Sequence, residues 1–200
     1  MKKPEEIPVI YVGEDNKLIV RGKVMFSNIS EARGFKDSDE NKNYSVTIKI
    51  GAEDAEKVMS AIDDLEAKIF NKAVEGLTSV QKRAVQKAPP KYRDVTDPAR
   101  GESTGEVKFE FKRKELLGPP RVFNTEGALE KGKKFISKDS EVVVRVVLIP
   151  YKAGATRGVS YKLEDIRILN EVRSASKAAV SGKSDTDAFM MTVNEDDLPF

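Results

Sequence analysis

Apolar and polar residues alternate in two early segments of the chain, and this two-residue period predicts a pair of β-strands. In the first segment the apolar face is assigned Leu18, Val20, Val24 and Phe26, opposite Arg21, Lys23 and Met25. In the second segment Tyr44, Val46, Ile48 and Ile50 alternate with Ser45, Thr47 and Lys49. The polar residues 31–43 between the two segments predict a hairpin loop.

The apolar period changes to that of a helix over residues 52–74. Val58, Ile62, Leu65 and Ile69 recur at intervals of four, three and four residues, which places them in one stripe of a helix. This segment holds more acids than bases, so we expect the helix to face away from any polyanion. Thr78 and Gln81 match a capping box and predict a second, short helix that Pro89 and Pro90 stop. Residues 89–104 predict a long loop.

Four later segments predict further strands. Residues 106–113 alternate apolar with charged side chains, and residues 121–124 are expected to form a short strand. The apolar run at 141–149 predicts a strand that is buried largely on both faces. Residues 159–169 predict another strand, and the change of apolar parity near Glu164 indicates a bulge.

Together these elements predict a mainly β fold, namely an OB-fold-like five-stranded antiparallel barrel with a helical insertion at about 52–88. Residues 1–172 are assigned to this domain, and a β-sandwich is the main alternative. Residues 173–192 are small and polar, so residues 173–200 are expected to form a flexible linker and a disordered acidic tail.

The absence of cysteine and histidine removes several classes of chemistry. The chain has neither thiolate nor imidazole metal ligands, and it lacks the commonest general base. The helix acids Asp63, Asp64 and Glu66 are interpreted as a solvated face, and no nucleotide-binding or nucleophile motif is present. We therefore predict that the protein is not an enzyme and uses no metal and no cofactor. A metal-dependent nuclease is a distant alternative.

Charge is distributed unevenly along the chain. All 35 Lys and Arg residues lie in residues 1–183, whereas five of the 33 acids follow Lys183, so residues 1–183 carry a net charge of +7. A basic body joined to an acidic tail is typical of a nucleic-acid-binding protein with an interaction tail. A modestly basic domain with a solubilising end would carry the same charges.

Proteins that bind single strands place cations along the phosphates and exposed aromatic rings beneath the bases. The candidate cations are Arg33, Lys36, Lys91, Arg93, Lys112, Arg113, Arg121, Lys133, Lys134, Lys152 and Arg157. The candidate stacking rings are Phe35, Tyr92, Phe123, Phe135 and Tyr151, which lie in polar or loop-like contexts. Phe109, Phe111 and Tyr161 share faces with apolar residues and are assigned to the core.

The last residues of the chain carry acids followed by an aliphatic residue, a proline and a phenylalanine. They are Glu195, Asp196, Asp197, Leu198, Pro199 and Phe200. This ending is similar to the C-terminal tip of bacterial single-stranded DNA-binding proteins. The body departs from the bacterial pattern, because it has a long helical insertion, no Trp and no glutamine-rich linker. It resembles instead the single-stranded DNA-binding proteins encoded by bacteriophages, which combine an OB fold with an acidic, Phe-terminated tail.

The resemblance implies that the chain coats single-stranded DNA in phage DNA replication, recombination and repair. It implies that Phe200 enters an apolar pocket on a partner while the tail acids are drawn to basic surfaces. Polymerase, primase–helicase or nuclease are the implied partners, and the protein is expected to be a monomer or a homodimer. The alternative function is a protein-interaction adaptor of the replication machinery without significant DNA affinity.

The sequence has no apolar run long enough to span a membrane, and its N-terminus lacks the apolar core of a signal peptide. We therefore expect a cytoplasmic protein without a membrane partner, located in the host cytoplasm if a phage encodes it.

Overall fold

The computed structural model describes residues 7–34, 42–132 and 135–172. It contains nine strands, two α-helices and a 3₁₀ turn over Glu115–Leu117 in these residues. The strands are β1 (Ile10–Val12), β2 (Lys17–Arg33), β3 (Asn43–Ile50), β4 (Gln86–Lys87), β5 (Tyr92–Thr96), β6 (Ser103–Lys114), β7 (Arg121–Phe123), β8 (Glu141–Ala153) and β9 (Thr156–Asn170). The helices are α1 (Ala52–Val74) and α2 (Ser79–Ala84), and both lie between β3 and β4.

Five long strands close into a barrel in the order β9-β8-β2-β3-β6. The four neighbouring pairs in this order are antiparallel, whereas β6 returns to β9 through a parallel pairing of Lys112 with Lys162. The predicted mainly β, OB-like barrel with a helical insertion is therefore confirmed. The expected antiparallel arrangement needs one correction, because the pair that closes the barrel is parallel.

Helix α1 packs against the barrel through the predicted stripe. Val58, Ile62, Leu65 and Ile69 are buried, and Glu66 is buried beside them with 6% of its surface exposed. The predicted capping box is also present, since the Gln81 amide donates to Thr78 Oγ1 at 3.3 Å and the Thr78 amide donates to Gln81 Oε1 at 3.0 Å. The second helix ends at Ala84, before Pro89, because the chain extends there to pair Gln86 and Lys87 with β9.

The core contains the aromatic residues that the sequence assigned to it. The rings of Phe109 and Phe111 are parallel with centroids 6.2 Å apart, and Phe111 meets Tyr161 edge-on at 6.0 Å. Such pairs add about 0.5–1.5 kcal/mol to the gain from burying their area. Alternation along β3, β6 and β8 directs the remaining side chains of the buried face into this core.

Phe26 is the main residue that the sequence analysis wrongly assigned to the buried face. The prediction placed it on the face of Val24, but its side chain is 67% exposed. The register of β2 against β3 shifts between Val24 and Phe26, so a bulge turns the following residue outwards. The bulge also accounts for the burial of Ile29: Val24 and Ile29 are both buried, although their positions along the strand differ by an odd number and strict alternation would place them on opposite faces.

Two further predictions are wrong in part. Residues 89–104 were expected to form a loop, but Tyr92–Thr96 form β5, whose charged residues suit an edge strand. Strand β8 was expected to be buried largely on both faces, but only one face is fully buried between Val142 and Leu148. The predicted bulge near Glu164 is confirmed, because Arg145 pairs with Asp165 and the adjacent Val146 pairs with Leu163.

Within the described ranges, no helix is both long and apolar enough to cross a membrane. Residues 173–200, to which the sequence assigns the linker and the acidic tail, lie outside the described residues.

Candidate nucleic-acid interface

A groove of about 550 Å³ crosses the outer face of the barrel. Its floor is formed by the outward-facing residues of β3 and β6, and the segment from Pro89 to Arg93 forms one wall. The lining residues are Phe26, Thr47, Pro89, Pro90, Lys91, Arg93, Lys108, Glu110, Lys112, Ser160 and Tyr161. Five of them are cations or exposed aromatic residues that can meet a polyanion: Phe26, Lys91, Arg93, Lys108 and Lys112.

Four cations cross this face in one line, which we call the cation row. Lys23 pairs with Lys49, Lys49 with Lys108, and Lys108 with Arg93 in the registers of β2, β3, β6 and β5. Residues that are directly opposite in a sheet lie about 5 Å apart on the same face, so like charges there are destabilising. Lys49 is compensated by Glu106 at 3.3 Å, whereas the other three form no ion pair within the part of the chain that the structure describes.

Phe26 stands beside the cation row as an exposed ring. It is opposite Thr47, which in turn is opposite Glu110, so the ring shares the outer face of the sheet with the row. An exposed aromatic ring of this kind contributes about 1–3 kcal/mol per stacked base in proteins that bind single strands. The sequence analysis did not select Phe26, because its alternation with Val24 favoured the core.

Tyr92, a predicted stacking ring, is occupied by contacts within the fold. Its hydroxyl donates to Asp63 Oδ2 at 3.0 Å, and its ring centroid lies 5.7 Å from that of Phe109. Burial and the hydrogen bond to Asp63 raise the pKa of this tyrosine. Tyr92 thus attaches β5 to α1, while its neighbours Lys91 and Arg93 line the groove.

Tyr151 lies beside Lys91, which lines the groove. The Lys91 Nζ is 5.8 Å from the centroid of the Tyr151 ring, which is within the range of a cation–π contact. The ring packs over Gly158, its partner across the β8–β9 pair. Glycine permits this close packing because it has no Cβ, which would lie 2.8 Å from the ring. This arrangement presents a half-buried ring next to a cation, and whether Tyr151 stacks on a base stays a prediction.

Tyr161 separates the groove from the core. The residue borders the groove, its ring packs against Phe111 in the core, and its hydroxyl donates to Oε1 of the buried Glu66 at 2.5 Å. Burial, followed by the hydrogen bond to Glu66, raises the pKa of Tyr161 well above its ordinary value. The assignment of Tyr161 to the core is confirmed, since 6% of the residue is exposed.

Two predicted DNA-contacting arginines have structural partners. Arg113 donates to the carbonyls of Gly118 at 2.8 Å, Leu117 at 2.8 Å and Leu163 at 3.1 Å. Arg121 donates to both carboxylate oxygens of Asp165, at 2.7 and 3.1 Å, and this hydrogen bonding raises the pKa of Arg121. Arg145 also pairs with Asp165, and we call Arg121, Arg145 and Asp165 the Asp165 cluster. Whether Arg113 or Arg121 also meets DNA stays a prediction.

The remaining candidates are dispersed. Arg33 is exposed at the end of β2, Phe123 is half-buried on β7, and Phe135 is 59% exposed. Lys112 lines the groove and pairs with Glu110 at 3.0 Å. Lys152 and Arg157 are opposite each other near the tip of the β8–β9 hairpin. The candidates outside the described residues are Phe35, Lys36, Lys133, Lys134, Glu195, Asp196, Asp197, Leu198, Pro199 and Phe200.

Acidic residues that could hold a metal ion are not grouped in the part of the chain that the structure describes. No cluster of three or more such ligands occurs in residues 7–34, 42–132 and 135–172. Asp63 and Glu66 instead accept hydrogen bonds from Tyr92 and Tyr161.

Comparisons with known proteins find similarity in structure but not in sequence. No family model and no curated protein matches the chain. The single-stranded DNA-binding protein of bacteriophage Enc34, solved in complex with ssDNA, matches with a TM-score of 0.64 and 13% identity over 85% of this chain and 95% of that chain. Another structure of the Enc34 protein matches with a TM-score of 0.61 and 12% identity over 92% of this chain and 96% of that one.

A second bacteriophage protein has the same architecture. The gp2.5 single-stranded DNA-binding protein encoded by bacteriophage T7 matches with a TM-score of 0.58 and 15% identity, over 88% of this chain and all of that chain (100%). The predicted resemblance to this class is therefore confirmed at the level of the fold. The chain has the fold of the single-stranded DNA-binding proteins of bacteriophages.

Proposed function

We propose that the protein binds single-stranded DNA in the groove, without strong sequence preference. The observation that carries this proposal is the cation row, in which three of four like charges have no acid partner among the described residues. Phosphates of a bound strand would supply the missing counter-charges. Phe26 would stack on a base, and Lys91 with Tyr151 would hold the strand at the wall of the groove.

Two independent lines support this proposal. The outer face of the second and third barrel strands is the surface on which OB folds bind oligonucleotides, and here it is formed by β3 and β6. A protein of the same fold, from bacteriophage Enc34, has been solved in complex with ssDNA. Backbone contacts would dominate the affinity, so binding would weaken steeply as salt is added.

The test compares two pairs of charge-removing substitutions. Lys108→Gln with Arg93→Gln removes two members of the cation row, and Lys57→Gln with Lys68→Gln removes two exposed lysines of α1. Binding of a fluorescent oligo(dT) of roughly 30 nucleotides is measured against salt. The salt slope, which is the slope of log affinity against log salt concentration, falls in magnitude by about 0.7 for each phosphate contact that is lost on a single strand. The slope of the groove variant is therefore expected to be smaller by about 1.4, and that of the α1 variant to be unchanged. Equal slopes for both variants would contradict the proposal.

We propose further that residues 173–200 act as a tail that recruits replication proteins, with Glu195 to Phe200 as the contact. Within this proposal the protein serves phage DNA replication, recombination and repair in the host cytoplasm. The acids would also compete with DNA for the cationic groove. A chain shortened to end at Lys183 is therefore expected to bind oligo(dT) more tightly, and unchanged affinity would argue against the competition.

The adaptor function remains the second candidate, because one feature of the surface favours it. Leu116 is 96% exposed on the 3₁₀ turn, and the Arg113 guanidinium fixes the carbonyls of Leu117 and Gly118 beside it. Leu117 next to Leu116 is 48% exposed, and contiguous exposed apolar residues can mark a protein contact. Weak oligo(dT) binding that does not respond to salt would favour this function over the first.

A further inference from the structure

A second line of cations lies at the tip of the β8–β9 hairpin. Lys87 of β4 is opposite Arg157 of β9, and Arg157 is opposite Lys152 of β8. We call these three residues the hairpin row. Lys87, which belongs to the short segment between α2 and β5, was not among the residues that the sequence analysis selected.

The hairpin row faces away from the groove. Successive side chains along a strand point to opposite faces. Tyr151 and Gly158 are opposite each other, and Lys91 meets Tyr151 from the groove wall, so this pair lies on the groove side of the hairpin. Lys152 and Arg157 are the next residues along their strands and therefore lie on the reverse face.

The surroundings of the hairpin row contain few acids. Residues 76–93 include five Lys and Arg residues and no Asp or Glu, and residues 142–163 include no Asp or Glu either. Glu66 lines a small cavity with Lys87, but its carboxylate accepts the hydrogen bond from the buried Tyr161 hydroxyl. These two segments therefore give the hairpin row no counter-charge, and Glu66 of α1 is already engaged by Tyr161.

The hairpin row contributes little to the stability of the fold. Like charges directly opposite in a sheet are destabilising, and no side chain of α2, which leads into β4, is buried. Arg157 contributes a hydrogen bond to the Gly154 carbonyl at 3.3 Å, whereas Lys87 and Lys152 are exposed and make no described ion pair. Two cations that do not stabilise the fold are consistent with a role in binding an anionic ligand.

We propose that the hairpin row is a second phosphate-binding surface, on which a DNA strand that leaves the groove continues after it crosses the hairpin tip. This inference rests on the proposed function and extends it, because the strand would contact both faces of the β8–β9 hairpin. Lys91, in the wall of the groove, and Tyr151 beside it mark the place where the strand crosses. The binding site is thus bipartite, and only a strand longer than the groove can occupy both parts.

The test varies the length of the DNA together with the charge of the hairpin row. Lys87→Gln with Lys152→Gln removes the two exposed cations and leaves Arg157 to hold the Gly154 carbonyl. Affinities are measured for oligo(dT) of roughly six and roughly 30 nucleotides, which lie near the lower end and well above the range that one OB fold usually covers. Lys57→Gln with Lys68→Gln is the matched control, and thermal unfolding confirms that each variant is folded.

The hairpin variant is expected to bind the long strand about tenfold more weakly, with a salt slope lower by about 1.4, and to bind the short strand as the unaltered protein does. Equal losses for the two lengths, or no loss for either, would overturn the bipartite site while leaving the groove proposal intact. Failure of the unaltered protein to bind either strand would overturn the proposed function itself, and the bipartite site with it.

Discussion

Two surfaces of the barrel concentrate Lys and Arg residues, and they differ in what those residues contact. In the Asp165 cluster, Arg121 and Arg145 converge on one carboxylate that is almost completely buried. In the cation row, by contrast, Lys23, Lys108 and Arg93 have no acid partner among the described residues. The first arrangement satisfies its charges within the fold, whereas the second leaves them for a ligand.

This difference explains why a count of cations along the sequence is a poor guide to the binding surface. Arg113 and Arg121 occur in basic segments, yet both guanidinium groups donate to acceptors within the fold. Lys108 occurs in a strand whose residues alternate with buried ones, yet it lines the groove and has no acid partner among the described residues. The partners of each cation, and not its neighbours in sequence, separate the two roles. Four substitutions test this separation, from the largest expected effect to the smallest.

Asp165→Ala is expected to lower the free energy of unfolding by about 2–3 kcal/mol, because Arg121 and Arg145 lose their shared, nearly buried acceptor and Arg145 keeps only Glu164, at 3.8 Å, among the described acids. Binding of oligo(dT) by the folded protein should be unchanged. Urea unfolding and fluorescence anisotropy measure the two quantities, and Glu126→Ala, which removes an exposed acid, is the control. A loss of DNA affinity without a loss of stability would remove the distinction between the two surfaces.

Arg113→Gln is expected to destabilise the protein by about 2 kcal/mol, since three carbonyl acceptors lose a charged donor. The salt slope of DNA binding should stay the same. If the slope instead fell by about 0.7 at constant stability, the prediction of Arg113 as a phosphate contact would be right and its structural interpretation wrong.

Tyr161→Phe tests the position where the groove meets the core. At neutral pH the variant should be about 1–2 kcal/mol less stable, because the buried Glu66 carboxylate loses its donor. The pKa of Tyr161 is raised in the folded protein, so the unfolded chain deprotonates first once the pH exceeds about 10. The stability linked to this hydroxyl is therefore complete below a pH of about 10 and falls above it, by up to about 1.4 kcal/mol per pH unit.

Part of this alkaline loss is common to the unaltered protein and the variant, because Tyr92 also has a raised pKa. Urea unfolding at about pH 8 and about pH 11, on either side of the ordinary tyrosine pKa, separates the contributions. The unaltered protein should lose more stability between these values than the variant. Identical pH dependence in the two proteins would contradict the raised pKa of Tyr161, which burial and then the hydrogen bond to Glu66 cause.

Phe26→Ala is expected to weaken oligo(dT) binding by about 1–2 kcal/mol, or roughly tenfold, through the loss of one stacked base. Thermal stability should change little, because the ring is mostly exposed. Tyr11→Ala removes another exposed ring, from β1, and is the control for a general effect of surface aromatic residues. Equal losses for both variants would argue against a specific stacking position at Phe26.

Much of the fold follows from local periods in the sequence. The stripe from Val58 to Ile69 and the alternation from Tyr44 to Ile50 predict α1 and β3 because burial on one side dictates the spacing. The edge strand β5 was missed because its charged residues carry no apolar alternation. Its position depends on pairing with β6, which no local pattern records.

The groove was harder to predict than the fold, because its composition depends on register. Lys23, Lys49, Lys108 and Arg93 lie far apart in the sequence, and only the pairing of four strands aligns them. Phe26 faces outwards because of a single bulge. Lys91 is exposed, as its polar context favours, whereas Tyr151 is half-buried because its ring packs over Gly158.

The parallel pairing that closes the barrel has a consequence for synthesis of the chain. Strand β9 is the last strand of the described residues, and it joins the free edges of β8 and β6. Until Thr156–Asn170 have emerged from the ribosome, a nascent chain holds an open sheet with exposed strand edges, which are sites of aggregation. A message truncated before this strand would therefore yield a product cleared by chaperones and proteases, and not a weakly active fragment.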